Sequence, residues 1–136
     1  MADCVFSCAE EFAASLTPIL KKLGYRKRYL TWYKDKEDAT VIFHIQKSQF
    51  GKDVWYYCFG VDIFQLSGAH TRSMDGCQVR DRYNQQEGNV YLSPKILAEM
   101  ITIWEQNYGT VSVLVQRLQE HRLPFMTFGS AIQFLL

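Results

Sequence analysis

The chain has 136 residues, a formal net charge of +1 and 48% hydrophobic residues, with eight Tyr, nine Phe and three Trp. That is the size of one domain with enough apolar content for one core, which excludes a disordered chain. The near-neutral balance disfavours a nucleic-acid partner, and no apolar run reaches the ~18 residues of a membrane-spanning helix.

The first segment reads as a helix. Val5, Ala9, Phe12, Leu16, Ile19, Leu20 and Leu23 recur at spacings of three and four, which lines one helix face. Asp3 is the expected cap, and Gly24 the expected left-handed stop. Pro18 is expected to kink or split the helix near Thr17. Lys21 and Lys22 suit the last turn, where the helix dipole favours cations.

Period-two patterns follow. Tyr29 to Lys34, Ala39 to Lys47 and Val54 to Gln65 read as strands, with polar links at Asp35 to Asp38 and Ser48 to Asp53. Links this short suit antiparallel neighbours. Ser67 to Gly76 reads as a loop, Cys77 to Tyr83 as a shorter strand, and Asn84 to Asn89 as a polar, mobile stretch.

Ser93 and Pro94 then mark the start of a helix with the stripe Leu97, Met100, Ile101, Trp104 and Tyr108, ended by Gly109. Thr110 caps a second helix, with Val111, Leu114, Val115 and Leu118 facing inward. The apolar tail from Phe125 to Leu136 stays open between helix and strand. The reading is one α+β domain over residues 1–136: an N-terminal helix, a meander of about four antiparallel strands, and C-terminal helices.

Catalytic motifs are not found. Cys4 and Cys8 lack the second ligand pair that a zinc site wants, so no metal and no cofactor is expected. The four cysteines, Cys4, Cys8, Cys58 and Cys77, follow no secretory leader and are read as thiols of a cytoplasmic protein. Cys58 and His44 fall on the same face of adjacent strands, which keeps a small Cys/His enzyme open as an alternative. Lys21, Lys22, Arg26, Lys27 and Arg28 form a basic cluster. They read chiefly as helix-end and sheet-edge charges, with RNA binding as the rival.

The two faces of the sheet differ. One collects Leu30, Trp32, Val41, Phe43, Ile45, Trp55, Tyr57, Phe59, Val61 and Ile63, which is core. The other mixes aromatic and polar residues, and Tyr33, His44, Gln46, Tyr56, Asp62, Arg80 and Arg82 are its candidate partner-binding set. Tyr and Arg are the side chains favoured at protein interfaces. The C-terminal helices or the tail are the alternative cover for this face.

Several short segments carry a resemblance. Leu20-Lys21-Lys22-Leu23-Gly24-Tyr25, Trp32-Tyr33-Lys34, Ile45-Gln46-Lys47-Ser48 and Tyr56-Tyr57-Cys58-Phe59-Gly60-Val61 resemble a bacterial family known only as a domain of unknown function. The resemblance implies an α+β fold and a stand-alone cytoplasmic protein, and it supplies no catalytic residue. Such small proteins also look like the immunity proteins of bacterial toxin systems, which neutralise a toxin domain by covering it. The expected function is therefore that of a protein-binding inhibitor of a toxin domain. A homodimer through the tail Phe134-Leu135-Leu136 remains an alternative.

Overall fold

The computed structural model describes residues 6, 8–49, 51, 54–68, 72–84, 86–87, 90–124 and 126–136. Helix α1 spans Ala9–Lys22, with Ala9, Phe12, Ala13, Leu16 and Leu20 buried on one face. Asp3 lies outside the described residues; the N-cap position is Cys8. Pro18 does not split the helix. It sits on the exposed side, where water can satisfy the carbonyl that loses its amide partner. Gly24 stops the helix at φ +95°, a conformation that favours glycine.

Five strands make an antiparallel sheet in the order β1-β2-β3-β4-β5. They are β1 (Arg26–Arg28), β2 (Thr31–Asp35), β3 (Ala39–Lys47), β4 (Trp55–Ile63) and β5 (Val79–Asn84). The expected meander thus gains one strand. The segment read as Tyr29 to Lys34 is broken by a tight turn at Tyr29 and Leu30, which pairs Arg28 with Thr31. Tyr29 makes that turn at φ 56°, in the left-handed region. No glycine or asparagine announces it in the sequence. The three basic residues of β1 form the sheet edge, as the strand-edge reading expected.

Strand β4 ends at Ile63, and one helical turn, α2 (Phe64–Ser67), takes over before Gly68 at φ +79°. The stretch read as mobile, Asn84 to Asn89, contains one short strand, β6 (Gln86–Glu87), which pairs with β7 (Val90–Tyr91) just beyond it. Residues 85, 88 and 89 lie outside the described residues. Helices α3 (Pro94–Tyr108) and α4 (Val111–Gln119) are capped by the Ser93 and Thr110 hydroxyls, as their sequence signals require. The tail forms α5 (Gly129–Leu135).

Helices α1 and α3 pack together over the first face of the sheet. Phe12 meets Trp55 and Tyr57 at centroid distances of 5.9 and 5.5 Å, and Trp104 meets Phe59 at 5.4 Å. Every expected first-face residue is buried except Leu30, which is half-buried against the same core. Glu105 of α3 ties this layer to β2. Its Oε2 pairs with Lys34 and Lys36 at 3.0 and 2.6 Å, and its Oε1 accepts from the Tyr25 hydroxyl at 3.0 Å. Helix α4 packs on α3, and α5 on α4 and α2, leaving Leu135 buried and Leu136 90% exposed.

Candidate functional site

The second sheet face is positioned by register. Thr31 stands opposite His44, His44 opposite Cys58, Gln46 opposite Tyr56, and Cys58 opposite Arg82. Directly opposite residues share a face, so these side chains form a band across four strands. Part of this face is covered, chiefly by the β4–β5 link and at one edge by the tail, where the Phe128 amide donates to the Gln78 carbonyl at 2.8 Å. The β4–β5 link folds back as a 3-10 turn at Met74–Gly76, and Cys77 and Met74 sit over Gly60. A Cβ at Gly60 would stand 2.6 Å from the Cys77 Sγ and 2.8 Å from the Met74 Sδ. Glycine is what lets this strap lie so close to the strand.

The strap withdraws one candidate from the surface. Asp62 is fully buried, and its Oδ1 accepts from Gln78 Nε2 at 3.1 Å. The alternation that placed it on the open face is correct, but the link between β4 and β5 closes over it. A buried carboxylate in such a network serves the fold.

Beside the strap lies a groove of about 390 Å³ that brings His44, Gln46, Arg80 and Arg82 together, with Cys58 at its base and Met126 on its rim. Tyr56 adjoins it beneath the Arg82 guanidinium, 4.8 Å from ring centroid to Cζ. Tyr33 stands apart from the groove under Arg72, at 5.2 Å. Arg82 also donates to Gln46 Oε1 at 3.5 Å. Arg80 has a different task. Its Nε donates to the Cys77 carbonyl at 2.8 Å and its Nη2 to the Asp75 carbonyl at 2.9 Å, which clamps the strap. Its guanidinium also lies 4.8 Å from the Phe128 centroid.

The expected neighbours Cys58 and His44 do meet, but their chemistry is inert. Burial pushes the Cys58 thiol up to about 11, against the pull of Arg82 and Arg80. Burial also lowers His44 below the usual imidazole range, and its Nδ1 is 2.9 Å from the Thr31 hydroxyl. A protonated thiol beside a neutral imidazole is the reverse of an activated nucleophile pair. Among the described residues no group of three or more His, Cys, Asp or Glu is placed to hold a metal ion. No helix among them is long and apolar enough to cross a membrane.

Sequence reasoning missed Arg72, Ser73, Asp75 and Met126, because each lies in a link whose path no periodicity encodes. The one signal available was compositional: an arginine within a small polar loop.

No curated protein and no solved structure matches the chain. One family model, described as "Domain of unknown function (DUF4304)", matches residues 16–120. The match runs from the second half of α1 through the whole sheet to the end of α4, and so contains both the open face and the strap over it. The chain belongs to the DUF4304 family.

Proposed function

We propose that this chain is a protein-binding protein of the immunity type, acting in the cytoplasm to neutralise a bacterial toxin domain by occluding it with the second sheet face. One observation carries the reading. Two arginines lie over two tyrosines on the sheet face opposite α1 and α3: Arg82 on Tyr56 and Arg72 on Tyr33. Stacking restrains the rotamers of both partners before binding, so less entropy is lost when a partner docks. Such Tyr and Arg anchors dominate protein interfaces. The protonated Cys58 thiol supports the same reading by weakening the enzyme alternative.

The partner surface that fits is acidic. Arg82 makes no ion pair among the described residues, and two of the acids nearby are engaged, Asp35 with Arg72 and Asp81 with Tyr83 and the Arg82 amide, while Asp75 shares the groove wall with Arg80 and Arg82. The test is affinity capture from host lysate with the tagged protein, followed by mass spectrometry. One stoichiometric partner retained in high salt is expected. Arg82→Ala and Tyr56→Ala should each weaken its binding by about 10- to 100-fold without lowering Tm. Elution of the protein alone, or unchanged binding by both variants, overturns the proposal. Arg80→Ala is a poor probe of binding, because it also releases the strap.

A further inference from the structure

A second, larger cleft of about 680 Å³ lies under the β1–β2 turn; it shares His44 and Arg72 with the face proposed for the partner, and that reading leaves its other charged and aromatic residues, Lys27, Arg28 and Tyr29, unused. Its walls hold Lys27, Arg28, Lys47 and Arg72 against a single acid, Glu10. Lys47 pairs with Glu10 at 2.8 Å, and Arg72 pairs with Asp35 at 2.6 Å. Lys27 and Arg28 make no ion pair among the described residues, and Lys27 Nζ lies 5.7 Å from the Trp32 ring centroid. The cleft therefore carries uncompensated positive charge.

The turn above it is strained without a return in folding. Tyr29 is held at φ 56°, where an L side chain crowds its own carbonyl, and the residue is 87% exposed. A buried aromatic would offset that strain by packing; this one buries almost nothing. Arg72, in the same cleft wall, is also held in the left-handed region at φ 57°. Of the three left-handed non-glycine residues among those described, two line this one cleft. Strained backbone of this kind gathers where a ligand is held.

We infer that this cleft binds a nucleoside phosphate, its base stacked on Tyr29 and its phosphate held by Lys27 and Arg28. The volume falls in the range of small-molecule sites, and Ala13 and Leu30 supply an apolar wall for a base. An unpaired guanidinium and ammonium are the groups that recognise phosphate, and base–aromatic stacking needs no particular base. The unit comes either free or as one residue of a single strand.

The test uses the full chain in thermal-shift and calorimetric titrations with AMP, inorganic phosphate, adenosine and a short single-stranded RNA. AMP is expected to raise Tm more than phosphate or adenosine does at equal millimolar concentration. Much tighter binding of the RNA assigns the unit to a strand, and equal or weaker binding assigns it to free nucleotide. Arg28→Ala should weaken AMP by about tenfold while leaving the fold intact. Tyr29→Asn should do two opposite things: raise the Tm of the free protein by a few degrees, because asparagine tolerates the left-handed turn, and weaken AMP binding. A purely structural tyrosine would give no such trade. Absence of any AMP-dependent shift, AMP affinity untouched by both substitutions, or a fall in Tm for Tyr29→Asn each overturns the inference.

Discussion

Replacing Gly60 with alanine tests the closeness of the strap directly. The added methyl would stand 2.6 Å from the Cys77 Sγ, 2.8 Å from the Met74 Sδ and 3.0 Å from the Cys77 Cβ. Met74 can swing aside, but Cys77 is buried and fixed between β4 and the Ser73 carbonyl, to which its thiol donates at 3.6 Å. Overpacking of this kind costs about 1–3 kcal/mol. The lower chain entropy of alanine returns about 0.5–1 kcal/mol, so the net loss is about 1 kcal/mol at the midpoints and at most about 2.5 kcal/mol. For a chain of this length that lowers Tm by about 3–10 °C. Gly60 does not lie in the left-handed region, so backbone strain adds nothing and the clash is isolated. Thermal unfolding followed by circular dichroism reads the loss. In a Cys77→Ala background the same substitution should cost about 1 kcal/mol less, the coupling expected of two groups in contact. An unchanged or higher Tm for Gly60→Ala, or strict additivity in the double variant, would refute the packing argument.

Three further outcomes follow from the geometry. Burial alone would raise the Glu105 carboxyl, but hydrogen bonds from Lys36, Lys34 and Tyr25 outweigh it and hold the group below its usual range. Glu105→Gln should cost about 1–2 kcal/mol at neutral pH. A depressed carboxylate stabilises above its unfolded pKa and loses that contribution as pH falls through the folded value. The Tm gap between wild type and variant should therefore begin to narrow as pH falls towards the ordinary glutamate pKa of about 4.3 and go on narrowing below it; a gap that widens on acidification contradicts the assignment. Burial raises Cys58 and Cys77 alike, so per-cysteine mass spectrometry after alkylation at neutral pH should find both protected until denaturant is added. Rapid native labelling of Cys58 would restore the enzyme alternative. Gln78 accepts from the Ile63 amide at 2.7 Å and donates to the Asp62 carboxylate and the Gly76 carbonyl at 3.1 and 2.8 Å, so Gln78→Ala should cost about 2–4 kcal/mol in urea unfolding. A loss below about 0.5 kcal/mol would show that this network does not hold the strap.

Much of the candidate site was legible because register carries it. Once β3 and β4 alternate, His44, Gln46 and Tyr56 must share a face, and the pairing places Arg82 beside them. Asp62 shows the limit of the same rule: alternation assigns a face, but it does not say whether a later segment covers that face. The turn at Tyr29 was illegible for a local reason. It uses tyrosine where glycine or asparagine is the usual signal, so the two turn residues Tyr29 and Leu30 looked like the first two residues of the strand. Pro18 misled in the opposite sense, because its cost depends on whether the orphaned carbonyl meets water or protein.

The sequence by itself determined the α+β class, the apolar face of the sheet, and the caps of α3 and α4 at Ser93 and Thr110. Each of these follows from a period or a local hydrogen bond that neighbouring residues fix among themselves. The tertiary structure alone decided that Met74 and Cys77 lie over Gly60, that Arg80 clamps the strap while Arg82 stays open, and that Cys58 keeps its proton. Those properties depend on burial and on contacts between segments distant in the chain, and no local pattern in the sequence encodes where a loop comes to rest.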